Sequence, residues 1–226
     1  MSARNGARGS NKRPRMLKVG LTGGMACGKS FVAATLGELG CEIIEADEVG
    51  RKAMEPGGEA YDAVIAAFGR QVLDERESID RPALAELVFS NPVQLERLNA
   101  IVHPAVRAAA LRRFAEIGAR DPRAVAVYVA AILIESGAYR EMDKIIVVSC
   151  ERAQQIERAM HRPGAAEAGV LARLQSQMPL EKKLTFADYT IDTRGTKEDT
   201  IRQTKLVYED LVHGDLVHGD RGRLAP

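Results

Sequence analysis

Leu21-Thr22-Gly23-Gly24-Met25-Ala26-Cys27-Gly28-Lys29-Ser30 decides the fold class of this 226-residue chain. From Gly23 to Ser30 it satisfies the pattern G-x-x-x-x-G-K-S/T in full. The residues before it, Met16 to Thr22, form a short apolar run that reads as a buried strand. The residues after it, from about Lys29, place Val32, Leu36 and Leu39 on one helical face, with Gly40 just past the helix end. Strand, glycine-rich turn and helix are the context a phosphate-binding loop needs. Glycines let the backbone wrap around phosphates with its N–H groups turned inward. The helix N-terminus adds unsatisfied donors and the positive end of its dipole. Gly23, Gly24, Ala26, Cys27, Gly28, Lys29, Ser30 and Phe31 are therefore the candidate nucleotide-binding residues. Lys29 supplies a point charge to the β- and γ-phosphates, and the Ser30 hydroxyl is the candidate Mg²⁺ ligand. The bland alternative is a strand-to-helix turn with no ligand, and the agreement of motif and context argues against it.

Outward from the loop, Cys41 to Ile44 is a second short strand, so residues 16–44 form a strand–helix–strand unit with parallel pairing. Residues 47–120 show helical periodicity, turn signals at Pro56-Gly57-Gly58 and Asn91-Pro92, and no convincing strand. They read as a helical insertion beside the sheet. Strand signals return at Ala124–Ala130, Lys144–Ser149 and Tyr189–Asp192. Glu151 to about Gln177 reads as helix, broken near His161-Arg162-Pro163-Gly164, and residues 197–211 as a closing helix. The expectation is an α/β protein with a parallel sheet, one domain over 16–212, an insertion over about 48–120 and a mobile lid over about 158–178.

Composition narrows the function classes. The chain is 46% hydrophobic, and its net charge is +1, so no global field points to nucleic acid or a membrane. Residues 1–15 hold five basic and no acidic side chains, so without them the net +1 becomes −4. Such a tail buries too little apolar surface to order itself and lacks the apolar core of a secretory signal. A flexible tail is likewise expected over 213–226, where Asp210-Leu211-Val212-His213-Gly214 is repeated as Asp215-Leu216-Val217-His218-Gly219. Two His at that spacing can suggest a metal site, but a duplicated helix end is the simpler account. Cys27, Cys41 and Cys150 form no C-x-x-C pair and suit neither a zinc site nor a disulfide framework. Cys27 reads as a small tolerated residue, with a redox-sensitive thiol as the alternative. No run reaches the 18 or so apolar residues a membrane helix needs. A cytoplasmic protein, a monomer or small homo-oligomer, is expected.

A phosphate loop identifies a nucleotide, not a reaction. The one Asn-Lys pair, Asn11-Lys12, lies in the tail, which disfavours a guanine-reading GTPase. Tyr128 to Glu135 only loosely resembles the acid-ended strand of an ATPase motor. A small-molecule kinase asks for less: a phosphate loop, an acceptor-positioning carboxylate and mobile arginines. Asp47 follows the second strand, on the sheet edge where ligands bind, and can accept a hydroxyl proton; a helix N-cap is its alternative role. Arg158 and Arg162 share a helix face beside Pro163-Gly164, as phosphate-covering lid residues would. His103-Pro104 reads both as a substrate contact and as a helix start with Pro in the first turn.

Several segments resemble the dephospho-coenzyme A kinase family. The loop resembles L-T-G-G-x-x-x-G-K-S. Ile44-Glu45-Ala46-Asp47 resembles I-D-A-D, and Leu98 to Pro104 resembles L-N-x-x-x-H-P. Ala131 to Glu135 is similar to P-L-L-x-E, Arg173 to Pro179 to R-I-x-x-Q-M-P, and Ala187 to Asp192 to A-D-x-x-I-D. The resemblance spans residues 17–211. It implies a three-layer P-loop kinase fold with a helical substrate-binding insertion and a lid. It also implies ATP-dependent phosphorylation of the ribose 3′-hydroxyl of dephospho-coenzyme A, the last step of coenzyme A synthesis. Catalytic roles then fall to Asp47, Lys29 and Arg162, nucleotide contact also to Arg158, and acceptor contact to Asp47, Arg51, His103, Glu135 and Gln177. Phe31, Glu45, Ala131 and Thr193 depart from the family pattern. Phe31 and Thr193 bear on nucleotide contacts. A kinase of another small molecule and an ATP-binding module without turnover are the alternatives.

Overall fold

The computed structural model describes residues 15–89, 91–161 and 164–213. Most of the basic tail, Arg162 of the lid and the second copy of the terminal repeat lie outside the described residues. Five strands, β1 (Leu17–Gly23), β2 (Glu42–Glu45), β3 (Val125–Val129), β4 (Lys144–Ser149) and β5 (Tyr189–Asp192), form one sheet in the order β2-β3-β1-β4-β5. Every pairing is parallel, with Val19 opposite Val127 and Leu21 opposite Ile146. Strand alternation divides the core into two layers. Val19, Leu21, Val127, Val129, Ile146 and Val148 face one side, with α1 (Lys29–Glu38) and the closing helix, here α9 (Lys197–His213), packed there. Ala126, Tyr128, Ile145 and Val147 face the other. There Ala110, Phe114 and Ile117 of a 29-residue helix cover them.

The insertion is helical as the periodicity predicts: α2 (Ala46–Ala53), α3 (Tyr61–Phe68), α4 (Arg81–Phe89) and α5 (Pro92–Arg120). It has its own core, with Val64, Phe68, Val72, Leu84 and Val88 buried against Leu95, Leu98 and Ile101 of α5. A single antiparallel bridge, Leu73 to Ile79, closes a tight turn that periodicity alone does not reveal. His103-Pro104 is not a helix start. Asn91 caps α5, its side chain accepting from Val93 N at 3.0 Å and Gln94 N at 3.4 Å, with Pro92 in the first turn. Pro104 lies inside the helix, where it removes one N–H donor without ending it. Packing on both the sheet and the insertion core holds α5 through that defect.

After β4 come α6 (Arg152–Met160), α7 (Glu167–Ser176) and the short α8 (Leu180–Leu184). The break between α6 and α7 falls where the Pro-Gly signal puts it, with Gly164 at φ 72°.

Candidate active site

The loop after β1 turns at the sheet's C-terminal edge, where the strand order changes direction around β1. Gly23 has φ 153°, and a Cβ there would lie 2.2 Å from the Val148 carbonyl oxygen, so only glycine fits beside β4. Gly28 is the N-cap of α1 at φ 84° and carries no capping side chain, which leaves the helix N-terminus open to an anion. Lys29 Nζ donates to the carbonyls of Gly23 at 3.2 Å and Gly24 at 2.9 Å. Ser30, in the first turn of α1, is exposed. Phe31 is half-buried on the same turn.

Thr193, Arg158 and Gln155, from elsewhere in the chain, support the loop from below. Thr193, just past β5, is buried. Its hydroxyl lies 3.0 Å from the Cys27 carbonyl and 3.2 Å from that of Ser149. Ser149 O already accepts the Thr193 N–H at 2.9 Å, so the single hydroxyl proton serves Cys27. Arg158 Nη1 donates to Thr193 Oγ1 at 3.0 Å, and Nη2 to its carbonyl at 2.7 Å. Buried Gln155 packs against Gly24, where a Cβ would approach its Nε2 to 3.0 Å. Cys150 brings its sulfur to 3.0 Å from that of Cys27.

A cavity of about 990 Å³ opens between the C-terminal ends of β2 and β3 and the helices α2 and α5. Asp47, Arg51 and His103 line it together. Arg81, Arg107, Arg140 and Tyr128 line it too, and no local pattern singles them out. Asp47 does not cap α2. Glu45 holds the N-cap position, and Asp47 sits one residue inside the helix. Burial and then the Asp47 charge raise the Glu45 carboxyl, while Lys29 pulls it down, so Glu45 feels both the loop lysine and the cavity acid. Burial, with Asp47 and Glu141 adding, pushes the Tyr128 hydroxyl up to about 12. Partial burial pulls the His103 imidazole below its usual value.

Glu135 and Gln177 do not line the cavity. Glu135 Oε1 pairs with Lys183 Nζ at 2.9 Å and accepts the Met178 N–H at 3.0 Å. Lys183 is fully buried, and its Nζ also donates to the Ala131 carbonyl at 2.5 Å, which accepts Thr22 Oγ1 at 3.3 Å. Burial alone would raise the Glu135 carboxyl, but Lys183 and two backbone N–H groups outweigh it and hold the group below the usual range. In sequence Lys183 sits in a charged stretch, Glu181-Lys182-Lys183, that reads as a solvated face. Gln177 Oε1 is buried and has no hydrogen-bond partner among the described residues, so it is open to a donor.

A loop built for phosphates and a cavity of acceptor size, opening on one edge of a parallel sheet, make this a P-loop kinase. The family model described as dephospho-CoA kinase matches residues 17–199. A dephospho-CoA kinase of Geobacter metallireducens is 44% identical over 195 residues, covering 86% of this chain and 96% of that protein. The chain belongs to the dephospho-CoA kinase family. Among solved structures, one from Thermus thermophilus aligns with a TM-score of 0.74 at 31% identity, over 87% of this chain and 98% of that one. A dephospho-CoA kinase from Campylobacter jejuni aligns at 0.66 and 28% identity, over 88% and 98%.

Proposed function

We propose that this chain transfers the γ-phosphoryl group of ATP to the ribose 3′-hydroxyl of dephospho-coenzyme A, giving coenzyme A and ADP. The observation that carries this is the place of Asp47: in the large cavity, on the sheet edge that also bears the phosphate loop. A ribose hydroxyl is a poor nucleophile, and its proton must leave during transfer. Asp47 orients that hydroxyl and takes the proton late. Lys29 swings from its own loop carbonyls onto the β- and γ-phosphates. Arg158 braces the loop from beneath through Thr193, and Arg162, on the lid, covers the phosphates as charge shifts in the transition state. Arg51 and His103 position the acceptor from the cavity wall.

Magnesium fits this donor set. No group of three or more His, Cys, Asp or Glu among the described residues is arranged to hold a metal alone. Mg²⁺ commonly takes one or two protein oxygens, keeping waters and substrate phosphates for the rest. Ser30 is the protein ligand we assign, and the ion, when bound, neutralises phosphate charge. We also place the chain in the cytoplasm. No helix among the described residues is long and apolar enough to cross a membrane.

The test is ADP release with ATP·Mg²⁺ and dephospho-coenzyme A, with adenosine monophosphate as control acceptor and mass spectrometry of the product. Transfer to dephospho-coenzyme A and little to the control is expected. Equal use of both acceptors points to a broader kinase. ATP binding without transfer to either means a nucleotide-binding module.

A further inference from the structure

Cys27 lies in the phosphate loop, two residues before Lys29, and Cys150 is the first residue after β4. They stand 123 positions apart in the chain, yet their sulfurs lie 3.0 Å apart, and both are free thiols. A disulfide bond is about 2.05 Å long, so closing it asks for about 1 Å of approach. The loop has little slack to supply that movement. Ala26 and Gly28, on either side of Cys27, have φ of 57° and 84°. The Cys27 N–H donates to Gly24 O at 3.3 Å, and its carbonyl accepts the Thr193 hydroxyl at 3.0 Å. Pulling Cys27 toward β4 therefore moves the peptides whose N–H groups face the phosphates.

The two sulfurs are unequal. With Cys150 ionised, the Cys27 S–H donates to it. That bond, joined by the Arg158 charge and Thr193, outweighs burial and the Asp192 charge and holds Cys150 below its usual value. The same bond and burial push the Cys27 thiol up. Cys150 keeps 7% exposure while Cys27 has none. Ionisation and access both make Cys150 the attacking sulfur and Cys27 the resolving one. Cys41 is different. Burial pushes it up to about 12, which makes it a poor nucleophile and an internal control.

We propose that Cys27 and Cys150 form a reversible modification site for peroxide, which joins them as a disulfide beneath the phosphate loop and weakens nucleotide binding. In the first step the Cys150 thiolate attacks one oxygen of hydrogen peroxide. The O–O bond breaks, hydroxide leaves and takes a proton as water, and Cys150 becomes a sulfenic acid. In the second, Cys27 sulfur attacks Cys150 sulfur, the S–O bond breaks, and the departing hydroxide takes the Cys27 proton as a second water. Two thiols lose two electrons in total, and one peroxide gains them. A thiol reductant reverses the change.

The effect on nucleotide rests on the phosphate-loop reading, whereas formation of the bond does not. The two are therefore measured separately. Wild type, Cys150→Ser and Cys41→Ser are treated with hydrogen peroxide, blocked with iodoacetamide and mapped by mass spectrometry. ATP affinity is followed by titration calorimetry. In wild type a peptide joining Cys27 to Cys150 is expected, with Cys41 alkylated. ATP affinity should fall about tenfold or more, the scale for losing one loop N–H bond to a charged phosphate, and dithiothreitol should restore it. Cys41→Ser should respond as wild type does. Reduced Cys150→Ser should bind ATP normally and lose none of that affinity to peroxide. Absence of the joined peptide overturns the site. A joined peptide with unchanged affinity, or equal peroxide sensitivity in Cys150→Ser, overturns its consequence. Failure of the reduced wild type to bind ATP counts against the phosphate loop instead, and the peptide map still decides whether the bond forms.

Discussion

Arg158 and Thr193 hold each other beneath the phosphate loop: two guanidinium donors, at 3.0 and 2.7 Å, meet the hydroxyl and the carbonyl of one residue. The Thr193 hydroxyl passes this contact on to the Cys27 carbonyl, so a helix of the lid region, the end of β5 and the loop share one network. Thr193→Val keeps the shape and removes the hydroxyl. It strands the Cys27 carbonyl and one Arg158 donor, at a cost of about 1–3 kcal/mol. We expect a lower melting temperature and a turnover reduced about tenfold. Thr193→Ser should restore both. Equal loss in the Ser variant, which keeps the hydroxyl, would show that the hydroxyl network does not account for the effect.

Asp47→Asn separates chemistry from structure. Glu45, not Asp47, occupies the N-cap of α2, so the substitution leaves the helix start alone. Native stability and retained ATP binding are expected, with turnover down by roughly a hundredfold or more, the scale of positioned acid–base catalysis. Steady-state kinetics beside a thermal melt decides it, and near-normal turnover would remove Asp47 from the mechanism.

Lys29→Ala should fold and bind ATP·Mg²⁺ much more weakly. In the protein by itself Lys29 reaches back to the Gly23 and Gly24 carbonyls, so its charge is already held at the loop. Calorimetric titration that returned an unchanged affinity would contradict the phosphate-loop assignment.

Lys183 and Glu135 make a stability prediction. Lys183 is fully buried and Glu135 partly so, and removing one partner strands the other. Lys183→Met should cost about 3 kcal/mol, which lowers the melting temperature by roughly 6–12 °C in a chain of this size. Glu135 also sets a pH dependence. Its folded value lies below the unfolded one, about 4.3. Its contribution is therefore fully present above that unfolded value and is lost as pH falls through the folded one. Urea midpoints of wild type and Glu135→Gln should differ by a constant amount near neutrality and converge in acid. A gap that persists at the lowest pH would refute the ion pair's role.

The sequence by itself determined the phosphate loop, the parallel α/β class, the five strands and the helical insertion. Each of these depends on residues adjacent in the chain: glycines at fixed offsets, a lysine and serine opening a helix, short apolar runs between turn signals. The local signal at His103-Pro104 misleads for the complementary reason. Nothing near it reveals that Asn91 has already started a helix, nor that packing on both sides carries α5 past its proline. Tertiary structure decided the rest of the site. It set Thr193 under Cys27 across 166 positions and buried Lys183 against Glu135 and the Ala131 carbonyl. It also gathered the cavity arginines around Asp47 and brought Cys150 to Cys27. The physical reason is that a backbone conformation is specified within a few residues, whereas burial, pairing and proximity exist only once the sheet has ordered its strands.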